Sequence, residues 1–153
     1  MKPTLVGALT DLLHNRALLA PIVALFAVQV WKFGTAFFFW HKFDPSLLWS
    51  TGGMPSSHSA LVSALAISIG INAGFGSPIF AVALALAIVV MYDAAGVRQA
   101  AGKQAQKINR IVEELLSGHS LNDERLRELL GHTPFQVTVG AVVGALAGWL
   151  LNL

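Results

Sequence analysis

Charge is distributed along this chain in a way that leaves few folds open. Twelve of its 18 charged side chains fall between residues 93 and 133. Most of the remainder is apolar, in stretches that invite comparison with the roughly 20 residues a helix needs to cross a bilayer. Four segments stand out: about Ala17–Trp40, which contains Gln29 and Lys32, then about His58–Asn72, Pro78–Tyr92 and Pro134–Leu151. The middle two are short and are expected to run past the hydrocarbon or to lie where the bilayer is thin. Charged residues make up only 12% of the chain, against about a quarter in a soluble domain. That excludes a disordered chain, a coiled coil and a conventional nucleic-acid binder; the pI near 9.3 accompanies a net charge of only +2, so no nucleic-acid partner is expected. The absence of cysteine excludes disulfides, thiolate zinc sites and cysteine nucleophiles. The expectation is one all-α domain over residues 1–153, an integral membrane bundle of about four transmembrane helices plus one amphipathic, extramembrane helical segment.

The polar parts organise the rest. Residues before Ala17, with Asp11, His14 and Arg16, read as a short amphipathic lead-in rather than a cleavable signal peptide. Residues 41–57 form a loop rich in Gly, Pro and Ser. Within the polar stretch 93–133, the segment Asp93–Leu116 reads as a helix leaving the third span, kinked near Gly96 or Gly102, with Val97, Ala101, Ala105, Ile108 and Val112 near one face. A short helix from about Asp123 to Leu130 follows, capped by Asn122 and stopped by Gly131. With four spans, Lys32, His58, Asp93, Arg98 and His132 share one membrane face. Lys and Arg divide eight to two in favour of that face, which the positive-inside rule places in the cytoplasm. The two helix pairs differ in loop length and composition, so no transporter-like repeat is present.

Chemistry concentrates in Gly52-Gly53-Met54-Pro55-Ser56-Ser57-His58-Ser59-Ala60. Paired glycines let the backbone turn closely, and Pro and Ser open a helix whose free N–H groups form an anion site suited to phosphate. A histidine in that first turn can donate a proton to what binds there. An isolated Ser-Ser-His would read as an ordinary helix cap; a second histidine at another helix mouth argues otherwise. His132 precedes Thr133 and Pro134, the expected N-cap and first residue of the last span. Lys32, expensive to hold inside a membrane, is a functional candidate by default, with snorkelling to the interface as the alternative. Asp93 either pairs with Arg98 or Lys32, or joins Gln104, Asn109 and Glu113 around a divalent cation such as magnesium. His14, His41 and His119 read as solvated, and Trp31, Trp40, Trp49 and Trp149 as an aromatic belt. Gly140, Gly144 and Gly148 recur every four residues and form a smooth ridge for close packing, within the bundle or across a homodimer.

These residues resemble a known superfamily. Pro55-Ser56-Ser57-His58 looks like the P-S-G-H motif of the type 2 phosphatidic acid phosphatases, which include the vanadium haloperoxidases, and the run from His132 to Gly144 looks like their last motif. More narrowly, Gln29-x-x-Lys32, GGMPSSHSA, YDAAGVR, GKQA and ELLGHTPFQV are similar to the divergent branch, over roughly residues 17–150. The resemblance implies metal-independent hydrolysis of a phosphomonoester or diphosphate through a phosphohistidine. It makes His132 the nucleophile and His58 the general acid. Lys32, Ser57 and Arg98 or Arg127 would hold phosphoryl oxygens, with Gln29, Gly53, Ser56, Asp93 and Gln136 in support. No cofactor is expected.

The chain also departs from the superfamily pattern. No Arg-Pro follows Lys32, position 126 is Leu126 where an arginine is usual, and the customary carboxylate four residues after the nucleophile is Gln136. Gln136 can orient an imidazole but cannot offset its positive charge; Asp93 is the alternative carboxylate. Two function classes are therefore expected to compete. One is a lipid phosphatase, with phosphatidylglycerophosphate favoured by the cytoplasmic face over phosphatidate or an isoprenoid phosphate. The other is a non-catalytic module that binds anionic lipid through a degraded site.

Overall fold

The computed structural model describes residues 4–40, 53–115 and 131–153. Among these the chain is helical, with no strand: α1 (Leu5–His14), α2 (Arg16–Trp40), α3 (Ser57–Ala73), α4 (Pro78–Ala95), α5 (Val97–Leu115) and α6 (Pro134–Leu150). The helix starts follow local chemistry. Thr4, Ser56, Ser77 and Thr133 each cap a helix by accepting a backbone N–H with the side chain, and Pro78 and Pro134 stand in the first turn, where a missing N–H costs nothing. Asn15 separates α1 from α2, its N–H donating to the Leu12 carbonyl and its side-chain oxygen accepting from Leu18 N–H. The kink after the third apolar segment falls at Gly96, and α5 runs unbroken through Gly102. The short helix expected over 123–130, its Asn122 cap, and the loop 41–52 lie outside the described residues, with His41, His119 and Arg127.

α3 is the central helix, packed against α2, α4 and α6. Its buried residues, among them Ser57, Ala60, Val62, Ala64, Ala66, Ser68 and Gly70, point in every direction around its axis. α2 meets the bundle along a stripe repeating every fourth residue: Ala20, Ala24, Val28, Lys32 and Ala36. α4 contributes Ala83 and Ala87 to a small apolar cluster with Val62 and Ala66. The glycine ridge of α6 lies on α3. A Cβ at Gly140 would strike the Ser56 carbonyl, one at Gly144 would stand 2.6 Å from Ala60 Cα, and one at Gly148 would lie 2.7 Å from the Ala64 carbonyl oxygen. Each ridge residue thus faces one of Ser56, Ala60 and Ala64, which repeat with the same period. Of the two packings read for Gly140, Gly144 and Gly148, the one within the bundle is formed: the ridge lies against this chain's own α3.

The interior is built from Ala, Ser, Gly and Val, while Ile22, Val23, Phe26 and Val30 on α2 and Ile79, Val82, Ile88 and Val89 on α4 face outward. In water this arrangement would expose most of the large apolar side chains; in a bilayer it places them in lipid and leaves small residues to bring backbones together. α2 from Arg16 to Phe38, and the stretch that opens with α4, are long and apolar enough to span a membrane. α3 and α6 are apolar and shorter, at 17 residues each.

The ends of the bundle differ. At one end Ser68 Oγ donates to the Arg16 carbonyl (3.1 Å), Asn152 Nδ2 donates to Ser68 Oγ (2.7 Å) and the Gly148 carbonyl (2.6 Å), and Asn72 Nδ2 donates to the Ser68 carbonyl (2.7 Å) and Asn152 Oδ1 (2.6 Å). That neutral network ties the start of α2 to the ends of α3 and α6. The opposite end gathers Lys32, Asp93 and Arg98.

Candidate functional site

Lys32 reaches the site because it occupies a position of the inward stripe of α2. Its neighbours along that stripe are Val28 and Ala36, and it is only 6% exposed. Nζ donates to Ser57 Oγ at 3.5 Å, at the first residue of α3. Gly53, in the left-handed region at φ 85°, lies over the lysine stem, and a Cβ there would sit 3.8 Å from Lys32 Cδ. Gln29, a turn earlier on α2, has its side-chain oxygen buried.

Ser56 and Ser57 divide the work at the start of α3. Ser56 Oγ caps the helix, accepting from Ser59 N–H (3.4 Å) and pairing with Ser59 Oγ (3.0 Å). Ser57 is left to face Lys32. The Ser56 N–H donates to the Gln136 carbonyl at 3.1 Å, which joins the beginning of α3 to the first turn of α6. Two helix N-termini, each carrying partial positive charge, therefore adjoin beside a buried ammonium. That is an arrangement for an anion.

His132 is 4% exposed and enters from the other side. Its N–H donates to the Ala94 carbonyl at 3.1 Å, near the break at Gly96 that separates α4 from α5. Gly131 lies against the Arg98 and Gln99 backbone so closely that any Cβ would overlap it. On the ring, Nδ1 approaches Gln136 Oε1 at 3.4 Å. The same oxygen accepts the Thr133 N–H at 2.9 Å, closing a capping box at the start of α6. Gln136 is thus a helix cap first and a partner of the imidazole second.

Asp93 and Arg98 form an ion pair across the α4–α5 break, Nε to Oδ2 at 2.8 Å, with both side chains substantially exposed. His58, half-buried in the first turn of α3, feels Arg98, Lys32 and Asp93 through space. Of the two uses read for Asp93, the pairing with Arg98 is formed. Among the described residues no group of three or more His, Asp or Glu side chains converges. The structure therefore brings Lys32, Gly53, Ser56, Ser57, His132 and Gln136 to one end of the bundle, with Asp93, Arg98 and His58 in electrostatic range of one another.

Sequence reasoning missed two contributors. Gly131 was read only as a helix stop, yet its lack of a side chain allows the loop to press on α5 and deliver His132. Ser59 stands three residues after Ser56, and that spacing at a helix start is the signal that would have found it.

The profile of a family described as "Divergent PAP2 family" matches residues 13–147, a range that includes every residue of this site. The chain is also 40% identical over 147 residues to an uncharacterized membrane protein, YuiD, of Bacillus subtilis (strain 168), covering 89% of this chain and 93% of that protein. No solved structure matches.

Proposed function

This chain belongs to the Divergent PAP2 family, and on that premise we propose that it is a membrane-embedded lipid phosphatase acting through a phosphohistidine. The observation that carries the reading is Lys32: a lysine on an otherwise apolar inward stripe, 3.5 Å from Ser57 where two helix N-termini meet. A buried cation beside two helix starts stabilises negative charge that develops on phosphoryl oxygens, which is most of what phosphoryl transfer asks of a protein.

In this reading a lipid phosphate docks with its oxygens toward Lys32, Ser57 and Arg98. His132 attacks phosphorus through Nε2, since Nδ1 faces Gln136. The N–P bond forms as the bond to the lipid oxygen breaks, and His58 in its protonated form gives that oxygen its proton. Water, deprotonated by the now neutral His58, then attacks the phosphohistidine and releases inorganic phosphate. Asp93 sets the position of Arg98. The four apolar helices α2, α3, α4 and α6 are read as spans, with the site on the cytoplasmic face. That orientation favours phosphatidylglycerophosphate over phosphatidate or an isoprenoid phosphate as substrate.

The test is phosphate release by detergent-purified protein on a panel of those three lipid classes, with EDTA or magnesium, beside His132→Ala. Release that survives EDTA and disappears in the variant is the expected result; release that requires magnesium would shift the chemistry to Asp93. A second reading, a lipid-binding module without turnover, is favoured by the burial of His132 and by the engagement of Gln136 in a helix cap. Lipid retained with no phosphate released would establish it. A single cysteine placed at residue 53 in this cysteine-free chain reports the orientation: labelling from outside the cell would overturn the cytoplasmic assignment.

A further inference from the structure

α5 begins at the site. Arg98, its second residue, pairs with Asp93, and Gly131 packs on the backbone of Arg98 and Gln99. Among the described helices it packs on α4 alone. At helical spacing Val97, Ala101, Ile108 and Ile111 line one side, and the three large ones are 60%, 47% and 55% exposed. Lys103, Lys107 and Arg110 follow along a flank of that strip, all exposed. Across α5 four cations stand against Glu113 and Glu114. An apolar strip bordered by cations has no reason to prefer water.

The occupant follows from charge and continuity. α5 continues from α4, whose outward face carries Val82, Val89 and Tyr92; with α4 read as a span, the headgroup layer would lie beside the first turn of α5. A helix with an apolar strip and flanking cations binds in the plane of a bilayer surface, the strip among acyl chains and the cations among anionic headgroups. We propose that α5 docks on the anionic lipid surface at the site end of the bundle, holding negatively charged headgroups beside Lys32, Ser57 and His132. The docking itself does not depend on phosphatase activity, and its test reads no turnover.

The chain has no cysteine, so Ile108→Cys and, on the opposite side of α5, Gln106→Cys each carry one environment-sensitive fluorophore. The full-length protein is reconstituted in phosphatidylcholine vesicles and in phosphatidylcholine–phosphatidylglycerol vesicles. Emission from position 108 is expected to shift to the blue when phosphatidylglycerol is present and to be quenched by brominated acyl chains. It should return toward the aqueous value in high salt, which screens the cations, while position 106 stays aqueous throughout. Lys103→Gln with Lys107→Gln, exposed changes that leave the bundle intact, should remove the dependence on phosphatidylglycerol. Two results would overturn the proposal: position 108 as aqueous as 106 in both vesicles, or position 108 equally shielded in both and untouched by brominated lipid. The second would assign the strip to protein, either another part of this chain or a second copy.

Discussion

The two ends of the bundle bury polar groups in opposite styles. At the Asn152 end every group in the hydrogen-bond network is neutral, and donors meet acceptors of the same chain at 2.6–3.1 Å. At the Lys32 end a cation is buried against a hydroxyl at 3.5 Å, and among the described residues no carboxylate lies at hydrogen-bond distance from its ammonium. A neutral network that closes on itself stabilises and does nothing more. A buried cation whose neighbours are hydroxyls and helix N-termini is costly to the fold and complementary to an anion. The difference separates structural from chemical polarity within one small bundle.

The largest effect expected from breaking that contrast comes from Lys32→Met. It keeps a long apolar stem on the stripe and removes the charge. Phosphate release should fall by about 10²–10³-fold, the scale for losing a preorganised electrostatic group, while the thermal midpoint in detergent holds or rises, because a buried charge has gone. A drop in midpoint with activity intact would make Lys32 a structural residue like Asn152.

Much of this was legible. Thr133-Pro134 and Ser77-Pro78 announce helix starts by their own chemistry, and a lysine among apolar residues announces itself. What could not be read is non-local. Both faces of α2 are apolar, so periodicity does not say which one holds Lys32 inward; only the partner helix does. The choice between Gly96 and Gly102 as the kink depends on the His132 N–H taking the Ala94 carbonyl, across 38 positions of sequence. The glycine ridge was visible, but whether it met α3 or another copy was not. The Ser68–Asn152 bond joins residues 84 positions apart, and neither residue carries a motif.

The glycine ridge runs between the two ends and sharpens the comparison. Gly144→Ala places a methyl 2.6 Å from Ala60 Cα, against backbone that cannot yield, and should cost about 1–3 kcal/mol of stability. Gly140→Ala pushes on Ser56 and should lower activity as well, by displacing the start of α3. Gly148→Ala, beside the neutral network, should lower the midpoint and leave the kinetics of the remaining folded protein unchanged. Equal kinetic losses at Gly140 and Gly148 would mean that the ends are not independent.

Asn152→Ala should cost about 1 kcal/mol, the net worth of a hydrogen bond in a partly exposed network. Phosphate release per folded molecule should be unchanged. Any change in KM for the lipid would show that the neutral end reaches the site.

The smallest effect on stability is expected at the charged end itself. The Asp93–Arg98 pair is short, but its side chains are 40% and 54% exposed, and such pairs contribute only about 0–1 kcal/mol. Asp93→Asn should therefore leave the midpoint nearly unchanged while freeing Arg98 from its carboxylate. If Arg98 holds phosphoryl oxygens, the added positive charge lowers KM for a lipid phosphate by a few-fold, and Arg98→Gln raises it. Steady-state kinetics on mixed micelles separates these outcomes from the metal reading, in which Asp93→Asn abolishes a magnesium-dependent release outright. An unchanged KM in both variants would confine the pair to joining α4 to α5, and phosphate recognition would then rest on Lys32, Ser57 and the two helix starts.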